Sequence, residues 1–316
     1  MPGHLSILES VGDTPLVELR KVVPPGSARV LVKLEGANPT GNMKDRMAKA
    51  AIEAAEADGR LKTGGTVVEY TGGSTGASLA FVCATKGYHI KIVTSDAFSE
   101  EKTLTTQAFG AEIISIKSEN RKINSTLIRS MIDTARQLSQ RAGHWWFDQL
   151  NNPDAAAGYH PMAEEIWMQS GGKVDAFVQA VGSAHSLNGV SEVLRRYNPD
   201  LHVVAAEPAE SAVLSGGAMG SHQIEGIGIG FVPPQWRPDE VNEILSATTA
   251  EAAQMCRRLA REEGIFAGTS SGLNVIAALR IAQRLGPDAT VVTIIIDSGL
   301  RYLSTDLYRE APPHSI

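Results

Sequence analysis

The chain has 316 residues, room for two ordinary domains, and its 29 Lys plus Arg against 35 Asp plus Glu give a formal charge of −6. Hydrophobic residues at 43 % and charged residues at 20 % exclude wholesale disorder. The acidic balance speaks against nucleic-acid binding, and 5 % aromatics against stacking platforms for single strands. Two cysteines, Cys83 and Cys256, are too few for a disulfide scaffold and read as buried thiols in a reducing compartment. Met1 to Ser6 shows no basic region leading into an apolar run, and no stretch approaches the ~20 apolar residues of a membrane span. The expectation is a cytoplasmic protein that touches no membrane. The eight histidines show no ligand spacing, so no metal is expected.

In chain order, helix is expected over 43–58, strand over 66–71, helix over 76–86, strand over 89–95, helix over 99–109, strand over 111–116 and helix over 122–141. A second series adds helix 154–169, strand 176–181, helix 186–196, strand 203–207, helices 249–263 and 271–285, and strand 290–296. Gly59, Gly87, Gly110, Gly264 and Gly286 stand at helix ends, the usual left-handed stop. Continuous apolar strands between helices of this length predict parallel sheets covered on both faces. The class is therefore α/β, doubly wound. The two series predict two packed lobes with a cleft between them and the cluster Trp145-Trp146-Phe147 at the seam. Residues 311–316 read as a frayed tail.

Five glycine- and hydroxyl-rich segments could carry chemistry. Asn38-Pro39-Thr40-Gly41-Asn42-Met43-Lys44-Asp45-Arg46 leads a turn into a helix with Lys44 in its first turn. The helix dipole disfavours a further positive charge there. Desolvation would then favour a neutral amine that attacks a carbonyl, although a lone lysine at a helix start is usually a surface residue. Glu69-Tyr70-Thr71-Gly72-Gly73-Ser74-Thr75-Gly76 follows a strand and opens a helix. Paired glycines admit a close backbone approach, and amides with hydroxyls at a helix start make an anion site. It is neither a dinucleotide fingerprint nor a P-loop, and by itself such a turn is common. Val181-Gly182-Ser183-Ala184-His185-Ser186 repeats the arrangement as a phosphate cradle, with His185 adding a charge-assisted bond or pointing to solvent. Ala267-Gly268-Thr269-Ser270-Ser271-Gly272 and Asp297-Ser298-Gly299 lie where α/β proteins bind ligands. Gly226-Ile227-Gly228-Ile229-Gly230 reads as a flexible loop, either a lid or ordinary surface.

The order of these motifs resembles the cysteine synthase (O-acetylserine sulfhydrylase) and cystathionine β-synthase family of fold-type II pyridoxal-phosphate enzymes. The resemblance runs from about Leu5 through Tyr302-Leu303-Ser304-Thr305. It implies a tryptophan synthase β-like fold, pyridoxal 5′-phosphate as cofactor, a small amino-acid substrate and a homodimer. It implies a smaller mobile lobe over 41–145 carrying the lysine and the substrate loop. The larger lobe, 1–40 plus 146–316, would carry the phosphate loop. By the same resemblance Lys44 forms the Schiff base and moves the substrate's α-proton. Gly182, Ser183, Ala184, His185 and Ser186 hold the cofactor phosphate, and Ser270 bonds the pyridine nitrogen. Thr71, Gly72, Ser74, Thr75 and Gln149 hold the substrate, with Ser74 also at the cofactor ring.

The implied reaction is β-replacement on an O-activated L-serine, with acetyl or phosphate leaving and sulfide or another small nucleophile entering, as in cysteine biosynthesis. A serine hydroxyl at the pyridine nitrogen does not force its protonation, so the ring is a weaker electron sink and loss of a β-substituent to an aminoacrylate becomes the easier path. The chain departs from the family at Ser74, where an Asn is usual, at Gly72, where a Ser is usual, and at Ala184 and His185, which fill two glycine positions. Asp297, if nearer the ring than Ser270, would strengthen the sink. The alternatives are an ammonia lyase or dehydratase, whose Ser-x-Gly-Asn-His loop is missing, and a catalytically idle relative, against which Lys44 and Ser270 argue. A dinucleotide-binding oxidoreductase lacks its glycine fingerprint. A phosphate leaving group would call for a cation such as Arg237.

Overall fold

A computed structural model describes residues 6–98, 100–120 and 125–309. The helix starts expected at 99 and 122, and the tail at 311–316, lie outside these. In chain order the elements are β1 (Leu16–Glu18), β2 (Arg29–Leu34), α1 (Lys44–Ala57), β3 (Thr66–Tyr70), α2 (Ser74–Lys86), β4 (His89–Ser95), α3 (Glu100–Ala108), β5 (Glu112–Ile116), α4 (Ser125–Ser139) and β6 (His144–Trp146). Then follow α5 (His160–Gln169), β7 (Ala176–Ala180), α6 (His185–Tyr197), β8 (His202–Pro208), β9 (Glu243–Ala247), α7 (Thr249–Arg258), α8 (Thr269–Leu285) and β10 (Thr290–Ile295).

The chain forms two compact units, Met1–Gly12 with Asn38–Tyr159, and Asp13–Ala37 with His160–Ile316. These bounds differ from 41–145 and its complement. Trp145 and Trp146 belong to β6, which pairs with β3, and residues 147–159 stay with the first unit. The first unit holds a four-stranded sheet in the order β5-β4-β3-β6, parallel throughout. The second holds six strands in the order β1-β2-β10-β7-β8-β9, parallel except for β1 on the edge. Val292 of β10 sits opposite Leu31 on one side and Phe177 on the other, and every position of this central strand is buried, with the Thr293 hydroxyl donating to Val178 O. The fold is α/β with mostly parallel sheets in two lobes. Among the described residues no helix is long and apolar enough to cross a membrane, and no group of three or more His, Cys, Asp or Glu could hold a metal.

The expected parallel strands are present within a residue or so of their bounds, and Gly59, Gly87, Gly110, Gly264 and Gly286 all take positive φ. Strands β1, β2, β6 and β9 were not anticipated. Helix 154–169 is corrected to α5 alone, preceded by the 3-10 turn Ala157–Tyr159. Gly158 in that turn packs under α1, where an added Cβ would lie 2.7 Å from the Arg46 carbonyl oxygen. Helix 249–263 ends as α-helix at Arg258 and continues as a wider π turn to Glu263. Glu263 Oε1 there accepts the N–H groups of Arg20, Lys21 and Val22.

Two buried ionisable side chains anchor the sheets. Lys33 of β2 is fully buried, and its Nζ donates to Thr14 O at 2.5 Å and Gln169 Oε1 at 2.8 Å and pairs with Glu165 Oε2 at 2.7 Å. An ammonium without such partners would be strongly destabilising. Glu69 ends the first unit's central run as a fully buried carboxyl. Its Oε1 accepts Tyr70 N–H at 3.0 Å and its Oε2 accepts Gln149 N–H at 3.1 Å. Burial pushes this carboxyl well above its ordinary range, and the backbone donors oppose that rise. The native protein therefore holds a proton that the unfolded chain releases once pH exceeds the ordinary carboxylate value, and stability falls as pH rises through that window. Glu69→Gln should abolish this pH dependence. In denaturant titrations from pH 5 to 8 the variant should gain steadily on the wild type; parallel curves would show that Glu69 stays ionised.

Candidate active site

In the first unit, Lys44 is the first residue of α1, half-buried, and follows the turn in which Gly41 N–H donates to Asn38 O at 2.8 Å. The turn is fastened by side chains that sequence reading passed over. Thr40 donates to the Asp45 carboxylate through N–H at 2.8 Å and through Oγ1 at 2.5 Å. Asn42 Nδ2 donates to Thr40 Oγ1 at 2.7 Å, and Asn42 Oδ1 accepts Lys44 N–H at 2.8 Å. Asn42 and Asp45 are buried, so these bonds fix where the Lys44 Cα stands. The only sequence signal was their place beside the lysine.

Ser78 Oγ lies 3.3 Å from Thr40 Oγ1 and donates to Asn42 Oδ1 at 3.4 Å, which joins this turn to α2. At the head of α2, Thr71 Oγ1 accepts Gly73 N–H at 3.1 Å, and Ser74 is the first helical residue. Thr75 is buried, whereas Thr71, Gly72 and Ser74 are part-exposed. Gln149 is held to the end of β3 through Glu69. The first unit thus carries Lys44, Thr71–Thr75 and Gln149, with the Lys44 turn bonded to Ser78 of α2 and Gln149 bonded to Glu69 of β3. Two neighbours were not singled out from sequence. A Cβ on Gly72 would lie 2.4 Å from Phe98 Cε1, and one on Gly73 would lie 2.8 Å from Lys102 Cδ. Neither contact has a local sequence signal, because both partners come from beyond β4.

The second unit carries the other candidates. Between β7 and α6, Ala184 is the N-cap residue with φ 70° and His185 is the first helical residue. The left-handed backbone that a glycine would supply is thus kept by an alanine. His185 does not point to solvent: it is 1 % exposed, drawn in with the buried first turn of α6. Gly182 faces the loop 226–230, where an added Cβ would lie 2.6 Å from Gly226 O. That loop is pinned rather than open. Gly228 N–H donates to Val181 O at 3.2 Å, and Ile224 and Ile227 are buried.

Ser270 is the second residue of α8 and is buried. Asn274, fully buried one turn on, accepts Ala180 N–H at 2.6 Å and donates to Ile294 O at 2.7 Å. It therefore ties β7, α8 and β10 together. Asp297 Oδ2 accepts the Tyr302 hydroxyl at 2.7 Å, and Asp297 Oδ1 lies 2.5 Å from where a Gly268 Cβ would stand. Burial first, and the Asp297 charge second, push the Tyr302 hydroxyl far up, so it stays a donor.

Pyridoxal phosphate fits this donor set. The turn 182–186 leads into a helix start and carries the hydroxyls of Ser183 and Ser186, the latter accepting a hydrogen bond from Gln179 Nε2, and Gly182 lies so close to Gly226 O that a side chain there would be excluded. Ala184 alone among these residues is strained, since a left-handed alanine costs about 1 kcal/mol. Ala184→Gly should therefore raise unfolding free energy by about 0.5–1 kcal/mol. An unchanged or lowered denaturation midpoint would mean that the backbone relaxes elsewhere.

A family model described as pyridoxal-phosphate dependent enzyme matches residues 7–297. A cysteine synthase from Staphylococcus aureus is 41 % identical over 306 residues, covering 96 % of each chain. The crystal structure of a cysteine synthase (OASS) from Entamoeba histolytica matches with a TM-score of 0.90 at 38 % identity, over 98 % of this chain and 92 % of that one. An O-ureido-L-serine synthase matches with a TM-score of 0.91 at 35 % identity, over 99 % of this chain and 98 % of that one. The sequence resemblance and the α/β expectation agree with these matches, and the chain belongs to the pyridoxal-phosphate-dependent enzyme family and is an enzyme that uses that cofactor.

Proposed function

We propose that the enzyme carries out β-replacement on an O-activated L-serine, with sulfide or another small nucleophile as acceptor. The observation that carries this is Lys44 at the first residue of α1, with its backbone N–H accepted by Asn42, the residue that follows the Asn-Pro-Thr-Gly turn. Bound pyridoxal phosphate supplies the electron sink for the bonds that break at the substrate's α- and β-carbons. Lys44 Nζ would hold the cofactor until the substrate's own amine displaces it, and the released lysine amine would then take the α-proton as the ester oxygen leaves with its bonding pair. After the nucleophile has added at the β-carbon, the same amine returns the proton. Thr71, Gly72, Ser74, Thr75 and Gln149 hold the substrate carboxylate, with the start of α2 supplying N–H donors. Gly182–Ser186 hold the cofactor phosphate, and Ser270 Oγ meets the pyridine nitrogen as a neutral hydroxyl. The engagement of Asp297 by Tyr302 supports that choice.

The acetyl ester is the favoured donor. Arg237, the cation a phosphate would call for, forms an exposed pair with Glu240 at 3.3 Å. The reading extends to a cytoplasmic homodimer making cysteine. Two-fold dimers are the commonest assemblies, and Cys83 and Cys256 are buried thiols that burial pushes up to about 12. Purified protein should be yellow, and O-acetyl-L-serine should change its spectrum before sulfide restores it and cysteine appears. Lys44→Ala should lose the lysine-bound cofactor band and turn over at least about 10³-fold more slowly. Turnover retained by that variant would sink the assignment, and pyruvate formed from the ester without sulfide would mark an elimination instead.

A further inference from the structure

Strand β7, AFVQA, is buried at every position, as strands inside a parallel sheet are. Gln179 is its one polar residue and is fully buried. An apolar side chain would fit there without the cost of desolvating an amide. Gln179 Nε2 donates to Ser186 Oγ at 2.5 Å, across the turn to the second residue of α6. A hydroxyl has one proton to give and two lone pairs to accept with, whereas an amide nitrogen only donates. Ser186 therefore meets Gln179 through a lone pair and keeps its proton. A helical serine otherwise tends to turn that proton back onto the carbonyl three or four residues earlier. Among the described residues Ser186 Oγ makes no other hydrogen bond and the Ser183 hydroxyl makes none, although the two residues are only 7 % and 5 % exposed. Two buried hydroxyls beside one helix start thus keep protons to donate, and an oxyanion that only accepts is their complement.

We infer, on the proposed placement of the cofactor phosphate at this turn, that Gln179 is a positioning residue for that phosphate: its amide holds Ser186 Oγ as an acceptor and thereby leaves the Ser186 proton for a phosphate oxygen. Gln179 acts only through Ser186. The turn then distinguishes the phosphorylated cofactor from its phosphate-free form by the direction of a hydroxyl as well as by backbone N–H groups.

The test uses the full-length enzyme, freed of cofactor and titrated with pyridoxal phosphate or with pyridoxal, which lacks the phosphate. Binding is read from the lysine-bound absorbance band. The wild type should bind pyridoxal phosphate the more tightly; equal affinity overturns the placement of the phosphate at 182–186 and the inference with it. Ser186→Ala should raise the Kd for pyridoxal phosphate about tenfold, what one hydrogen bond to a charged group is worth. Gln179→Met, of similar size, should raise it at least about threefold, because the hydroxyl is then free to turn away. Both variants should keep the Kd for pyridoxal within about twofold of wild type, and adding Gln179→Met to Ser186→Ala should cost no more than about twofold further. A Gln179→Met enzyme with the wild-type preference overturns the inference and leaves the β-replacement reading intact. Equal weakening for both ligands overturns it too, because that marks a packing role. Effects that multiply in the double variant also overturn it, since Gln179 then acts apart from Ser186. Gln179→Glu provides a second variant: its carboxylate draws the Ser186 proton to itself and should weaken pyridoxal phosphate more than methionine does, and wild-type affinity there sinks the inference. If neither variant at 179 folds, the glutamine is structural and the inference falls. A wild type without the lysine-bound band overturns the β-replacement reading itself.

Discussion

The site depends on N–H groups that a helix cannot satisfy for itself. The first four N–H groups of an α-helix have no intrahelical acceptor. A parallel sheet delivers such helix starts just beyond the carboxyl ends of its strands. Here β3 ends at Tyr70 and α2 begins at Ser74; β7 ends at Ala180 and α6 begins at His185. Each unit thus presents a helix start suited to an anion, and the proposed function gives one to a carboxylate and the other to a phosphate. The capacity to bind an anion lies in the backbone, and side chains in the two loops adjust which anion is preferred. Departures at Gly72, Ser74, Ala184 and His185 are compatible with this logic. Ala184 keeps the left-handed turn at φ 70° even without a glycine.

The parallel strands were legible because strands buried on both faces are apolar without interruption. The run TVVTII of β10 is buried at every position. The strands that lack that signal are short or mixed: β1 and β6 have three residues each, and β9 is mostly half-buried, with Glu243 at its start and Ser246 near its end. In β2 the interior Lys33 breaks the apolar run, and only its three-dimensional partners make it a core residue. Helix 154–169 failed for a related reason. The clash beneath α1 that demands Gly158 is a tertiary contact, invisible to local propensity. At the site, the glycine turns and the lysine were readable as motifs. The buried polar groups that hold them were not, because Asp45, Ser78 and Asn274 act through partners set by folding.

Those holding groups share one arrangement. Each is a side chain that satisfies backbone or side-chain groups near the end of a secondary element, and each is fully buried. Asn274 does this for β7 and β10 together, and Asp45 does it for the turn before Lys44. A buried polar network of this kind fixes geometry more than it adds net stability, since an unsatisfied member is expensive and a satisfied one roughly breaks even. The candidate residues at these element ends, Lys44 at the start of α1 and Ser270 at the start of α8, therefore stand on rigid supports.

The glycine pair at 72 and 73 shows how a departure in a motif is explained only by its neighbours. Taken as a motif, Gly72 is a missing hydroxyl and nothing more. In the folded unit it is the room that Phe98 requires, and Gly73 is the room that the stem of Lys102 requires. The phenyl ring, the lysine and the two glycines form one interlocked set: restoring a side chain at 72 would displace the ring, and the ring is anchored by Phe98 N–H to Ser95 O at the end of β4. A change at the loop and a change at the start of α3 are therefore a single change in packing, and the chemistry of the loop has to be read from both segments together.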